Sequence, residues 1–217
     1  LLSAAAPAGS NPLVAPWSGP YGGVPPFDQV KVEHFKPALE AGMSDQLAAI
    51  DRITAEPASA TFANTIAALE RSDRVLKQVV GVYGVWSSTM NTPEFQAVET
   101  EMAPKLAAFR DRITQNEALF GRIAAVYEAR ERAGLTAEQK RLAWLYYTTF
   151  ARAGARLPPA GKKRLSEVNQ RLATLYTTFA QNVLADETDY VLFLEGERDL
   201  AGLPDSLRSA AAAAAES

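Results

Sequence analysis

Hydrolysis or group transfer needs a nucleophile, a general base or a metal, and this 217-residue chain offers few side chains for any of them. It has no Cys and one His, His34. The H-E-x-x-H zinc motif uses two imidazoles one helical turn apart, with the Glu activating water. Here Phe35 follows His34 and no second His exists. A ferritin-like di-iron centre needs two Glu-x-x-His motifs on facing helices, so the same count excludes it. A Ser-His-Asp arrangement would have only His34 as its base, and no Ser lies in a G-x-S-x-G elbow. His34 therefore reads as a histidine in the first turn of a helix, at or near its surface.

Carboxylate pairs can do acid-base work without His, and Glu99 with Glu101 or Asp186 with Glu187 are the candidates. Acids one or two positions apart on a helix point in different directions, so both pairs read as solvated faces. Tyr83, Trp86, Tyr146, Tyr147 and Tyr176 could line a groove, but aromatics at helical spacing are expected in a core. Gly22-Gly23 is followed by Val24-Pro25-Pro26, whose prolines lack the N–H groups of a phosphate cradle. The residues thus give no catalytic group, no metal ligand and no cofactor site in this chain, and leave any substrate-binding residues unknown.

The elements that would position a site are helical. Proline and glycine crowd the stretch from Ser10 to Asp28, which reads as an extended arm whose Trp17, Tyr21, Val24 and Phe27 lie against a body. From Val32 to Thr54 the apolar Phe35, Leu39, Met43, Leu47, Ile50 and Ile53 form one helical stripe, with Pro37 in the first turn. A second helix, capped by Thr61, is expected to run unbroken to Met90. Asn91-Thr92-Pro93-Glu94 then stops one helix and starts another, in which Pro104 predicts a kink or a broken turn. Further helices are expected from Asn116 to Ala133 and from the Thr136-Gln139 capping box to Gly154. Beyond Pro158-Pro159, Leu165, Val168, Leu172, Leu175, Phe179 and Val183 make a stripe that calls for a partner helix. Residues 189–194 read as one short β-strand paired with chain from elsewhere, and a last helix from Asp205 or Ser206 is nearly all Ala after Arg208. The expectation is an all-α, multi-helix array of antiparallel helices with an extended N-terminal arm and one short strand. Its domains are 1–28, a signal-peptide remnant and arm, and 29–217, a helical domain read as truncated because the final helix has no stop signal.

Charge and composition narrow the partners. Lys and Arg total 22 against 25 Asp and Glu, interspersed, so there is no basic face for nucleic acid. No apolar run reaches the length that spans a bilayer. The opening Leu1-Leu2-Ser3-Ala4-Ala5-Ala6-Pro7-Ala8 is similar to the tail of a signal peptide, which points to the periplasm, with the cytoplasm as the alternative.

Several segments resemble a known family. They are Trp17-Ser18-Gly19-Pro20-Tyr21-Gly22-Gly23-Val24-Pro25-Pro26-Phe27, Thr61-Phe62-Ala63-Asn64-Thr65-Ile66 with Leu69-Glu70, and Asn91-Thr92-Pro93-Glu94. Glu101-Met102-Ala103-Pro104-Lys105-Leu106 and Gln181-Asn182-Val183-Leu184-Ala185-Asp186-Glu187 continue the series in order. Together they resemble the amino-terminal region of bacterial peptidyl-dipeptidases of the thimet oligopeptidase family. That resemblance implies a large helical zinc metallopeptidase divided by a deep channel, acting on short peptides, with zinc held in a carboxy-terminal half. None of its metal ligands or catalytic residues maps onto this chain. The expected function is then a non-catalytic, channel-wall scaffold whose partner is the missing catalytic half of the same protein. The alternative is a freestanding helical module that binds a peptide or protein in a groove between helices.

Overall fold

Four of the helical segments start at side-chain caps. In the computed structural model, which describes residues 11–20 and 23–216, Thr61 Oγ1 accepts from the Asn64 N–H at 3.2 Å while Asn64 Oδ1 accepts from the Thr61 N–H at 2.8 Å. Thr136 and Gln139 exchange the same pair of bonds. Thr92 Oγ1 accepts from Phe95 N–H with Pro93 at the first helical position, and Asn116 Oδ1 accepts from Leu119 N–H. Each cap satisfies a donor that the first turn leaves without an intrahelical partner.

A 3-10 turn, Val32–His34, leads into α1 (Phe35–Ala55). A π-helical turn, Phe62–Ile66, precedes α2 (Ala67–Glu70), followed by α3 (Arg74–Thr89), α4 (Pro93–Thr114), α5 (Glu117–Ala129) and α6 (Ala137–Arg152). The long α7 (Pro159–Asp189), the single turn α8 (Glu197–Leu200) and α9 (Asp205–Ala215) complete the order. The architecture is all-α, and no strand forms among the described residues.

Two details differ from the sequence reading. The helix expected from Thr61 to Met90 is divided, because Ser72 turns the chain: its hydroxyl donates to the Leu69 carbonyl at 2.7 Å and its N–H reaches the same oxygen at 3.0 Å. The expected strand at 189–194 is not one. Asp189 ends α7 and residues 190–195 are irregular, since a strand must exchange backbone bonds with a neighbour and none lies among the described residues. Helix α4 is continuous through Pro104, so the turn there is not broken, although that residue supplies no backbone donor.

The buried residues form two clusters. Phe35, Leu39, Val79, Trp86, Phe95 and Met102 centre the first, drawn from α1, α3 and α4. Ile50, Ile66, Leu119, Ile123 and Phe150 centre the second, drawn from α1, the π-turn, α5 and α6. Phe109 of α4 touches both. In the first, Phe35 meets Phe95 and Trp86 edge to face, each with ring centroids 5.1 Å apart. Helices α1 and α3 come close because Gly42 has no side chain: a Cβ there would lie 2.9 Å from the Leu76 Cα. The N-terminal segment is held by Leu13, which is fully buried, and by Gln78, whose amide donates to the Leu13 and Ala15 carbonyls at 3.0 and 3.2 Å. Val24 and Phe27 are exposed, while Tyr21 and the leader-like residues 1–8 lie outside the described residues.

The chain divides into two units, residues 1–179 and 180–217, the division falling within α7. In the second unit Arg208 ties α9 to the preceding turn, its guanidinium donating to the Leu200 and Leu203 carbonyls at 2.6 and 3.2 Å.

Candidate functional site

His34 is half-buried at the end of the 3-10 turn. Its Nδ1 accepts from the Lys31 N–H at 3.1 Å, and its carbonyl accepts from the Asn11 amide at 2.7 Å. With Nδ1 an acceptor the ring carries its proton on Nε2. Among the described residues no nucleophile or acid is hydrogen-bonded to that ring, so the geometry gives the imidazole a turn-closing role.

The paired acids separate as helical spacing dictates. Glu99 points inward and is 8% exposed, its carboxylate accepting from Ser87 Oγ at 2.5 Å and from Asn91 Nδ2 at 3.1 Å. Burial, and then the Glu99 charge, push the Tyr83 phenol well above its ordinary range. Glu101 points outward, where hydrogen bonds from Lys105 at 2.8 Å and Lys36 at 2.7 Å draw its carboxyl down to about 2. The two carboxylates therefore share no proton and no site. Asp186 and Glu187 are both exposed on α7 and form no dyad.

The aromatic group is likewise divided. Tyr83 and Trp86 belong to the first core cluster, Tyr146 and Tyr147 to the edge of the second, and Tyr176 is exposed on α7. Tyr147 stacks on Tyr127 at 4.2 Å, Arg130 lies 3.9 Å over the Tyr127 ring, and Arg156 donates to the Tyr147 hydroxyl. These contacts close the end of the α5–α6 pair rather than opening a cleft. The Ser87–Asn91–Glu99 group was not legible as a unit. Its signal is the Asn91-Thr92-Pro93 turn, which folds the start of α4 back along the end of α3.

The most distinctive surface is apolar and uncovered. The first half of α7 is docked, Lys162 pairing with Glu117 at 2.9 Å and Asn169 Nδ2 donating to the buried Asp111 at 2.8 Å. Leu165 fills the space beside Gly154, whose φ of +94° stops α6. Past that point the stripe faces outward: Leu172, Leu175, Tyr176 and Phe179 are exposed, the last at 68%. In the second unit, Tyr190, Val191, Leu192 and Phe193 are exposed as well. Single exposed apolar residues are ordinary, but runs of this kind mark surfaces that bind something.

Among the described residues no three His, Asp or Glu side chains converge as a metal site, and no helix is long and apolar enough to cross a membrane. Fold and side chains thus define an all-α protein with two buried clusters and an uncovered helical stripe. No family model matches the chain. It is 35% identical to the dipeptidyl carboxypeptidase of Salmonella typhimurium and 34% identical to that of Escherichia coli, over 95% and 94% of its length. It is 28% identical to oligopeptidase A of Salmonella typhimurium over 95% of its length. The chain is a homologue of dipeptidyl carboxypeptidase and oligopeptidase A, in keeping with its resemblance to the thimet oligopeptidase family. It spans 30% of the length of each of these three relatives.

Proposed function

We propose that this chain is the non-catalytic helical wall of a zinc-dependent peptidyl-dipeptidase or oligopeptidase that cleaves short peptides, with residues 29–217 forming a domain of a longer polypeptide. The observation that carries the proposal is the match to peptidases over nearly the whole chain but under a third of their length. The apolar stripe on α7 supports it, because an amphipathic helix half docked and half uncovered needs further protein to remove Leu175, Tyr176 and Phe179 from water. The apolar run 190–194 supports it for the same reason.

Zinc does not fit the side chains of this chain. Its single imidazole already accepts a backbone hydrogen bond, and a hydrolytic zinc site needs three protein ligands with an open fourth position. No catalytic step is therefore assigned to these residues. The proposed partner is the catalytic part of the same protein, and the proposed compartment is the periplasm, on the strength of the leader-like residues 1–8.

The test is metal analysis and peptide cleavage by the purified chain. After incubation with zinc and dialysis, it should retain no stoichiometric zinc and leave a fluorogenic peptide intact. One zinc per chain together with cleavage would refute the scaffold reading. Cell fractionation of the native protein tests the compartment, and recovery in the cytoplasm alone would exclude export.

A further inference from the structure

Where the two core clusters meet, helices α1, α2, α3, α4 and α6 leave a cavity of about 390 Å³. Its floor is apolar, built from Leu69, Leu76, Leu106, Phe109, Ile113 and Phe150. Lys77 and Arg110 stand on its rim with Asp73 as the only carboxylate lining it. A neighbouring cavity shares Asp73 and Lys77 as a common wall and adds Arg71, Arg74 and Glu70. None of Arg71, Arg74, Lys77 and Arg110 forms an ion pair with a carboxylate among the described residues. Glu70 already accepts from the Tyr146 hydroxyl at 2.7 Å. Burial comes first, then that bond and the charges of Glu70 and Asp73, in holding the Tyr146 phenol protonated.

We infer that this cavity binds an aliphatic carboxylate, its chain in the apolar floor and its head group at Lys77 and Arg110. The volume falls in the range of small-ligand pockets, which combine apolar walls with a few polar groups that fix orientation. The surplus of unpaired cations over carboxylates on the rim selects an anion. A peptide fits less well. Apart from Asp73, in the turn between α2 and α3, every lining residue lies on a helix, whose backbone groups are bonded internally, and three of the neutral polar side chains are committed: Thr114 donates to the Arg110 carbonyl, Gln46 to Ser72 and Tyr146 to Glu70. A peptide backbone laid here would leave its own N–H and C=O groups unmatched. An alkyl chain carries no such groups. This inference concerns a separate site and stands whether or not the peptidase reading holds.

Calorimetric titration of the 217-residue chain with decanoate and with decanol tests it. Decanoate should bind one per chain and at least about tenfold more tightly than decanol, since only the acid can make charge-assisted hydrogen bonds to the rim. Its affinity should also fall with added salt. A Lys77→Gln/Arg110→Gln double variant changes two exposed side chains and should melt normally, while binding decanoate no better than decanol. Val80→Trp, which narrows the mouth, should abolish binding of both. If that variant unfolds, the charge variant alone still decides. Equal affinity for acid and alcohol, or decanoate binding unchanged in the double variant, would overturn the site. So would an acidic peptide with one Leu anchor that binds more tightly than decanoate and is lost in the same variants.

Discussion

Helices α1 and α7 both carry apolar residues at intervals of three and four, and meet opposite ends. On α1, Phe35, Leu39 and Ile50 are fully or almost fully buried, covered by α3, α4 and α5. On α7 the equivalent stripe is docked only as far as Asn169, after which Leu172, Leu175, Tyr176 and Phe179 are left to solvent. Hydrophobic periodicity therefore identifies the face that asks for cover. Whether this chain supplies the cover is a tertiary matter.

The sharpest way to break the comparison is to remove the same side chain from both regions. Phe95→Ala empties a fully buried position edge to face with Phe35 and should cost about 3–5 kcal/mol in urea unfolding. Phe179→Ala removes a ring that is 68% exposed and should change stability by less than about 0.5 kcal/mol. Similar losses for the two would mean that α7 is covered in solution, by self-association or otherwise. Sedimentation of the wild type would then identify the cover.

A smaller effect probes how closely the covered region is built. Gly42→Ala places a methyl 2.9 Å from the Leu76 Cα, a backbone atom that cannot step aside, and should destabilise by about 1–3 kcal/mol. Helix propensity opposes this by about 1 kcal/mol, because Ala is the better helix former. Gly81→Ala on α3 supplies the control: a Cβ there meets nothing within 4 Å, so propensity acts alone and the variant should be more stable. A thermal melt in which both substitutions move the midpoint the same way would show that the α1–α3 contact is looser than described.

Much of this architecture was legible in the sequence, and the failures have physical causes. Thr61, Thr92, Asn116 and Thr136 start helices as read, because a cap is a local bond between neighbours in the chain. The break at Ser72 was missed, since its hydroxyl competes for the Leu69 carbonyl only in one of several conformations that the sequence permits. Residues 190–194 were read as a strand from β-favouring composition, yet composition cannot provide a neighbouring strand. The expectation of no catalytic group rests on residue counts and spacing, with one His, no Cys and no Ser in a nucleophile elbow. The cavity between the clusters was invisible, as it depends on five helices meeting.

Caps give a third, smaller contrast. Asn116→Ala removes the acceptor for the Leu119 N–H and should cost about 1 kcal/mol by denaturant unfolding. The start of α9 has no such bond to lose, since Pro204 occupies its cap position without a side-chain acceptor. Pro204→Ala should accordingly leave global unfolding unchanged, and a loss matching that of Asn116→Ala would place α9 within the cooperative core.

The smallest expected effect is electrostatic and tests the outer surface between α1 and α4. Glu101 of α4 lies between Lys36 of α1 and Lys105, and Lys105 in turn reaches Glu40 of α1 at 3.1 Å. The hydrogen bond from Lys105, followed by that from Lys36, lowers the Glu101 carboxyl from 4.5 to about 2. A carboxyl with a depressed folded-state value binds its proton more readily when unfolded, so its contribution is fully present above pH 4.5. It is lost as the pH falls from there through about 2. These side chains are close to half exposed, and water and salt screen the network. Glu101→Gln should therefore unfold at slightly lower denaturant than wild type at pH 7, with the gap closing below pH 4.5 and shrinking at high salt. A gap that widens on acidification would mean that Glu101 is destabilised in the folded state. The α1–α4 surface would then be held by its apolar side alone, leaving α1 better covered than α7 only through contacts such as Phe35 with Phe95.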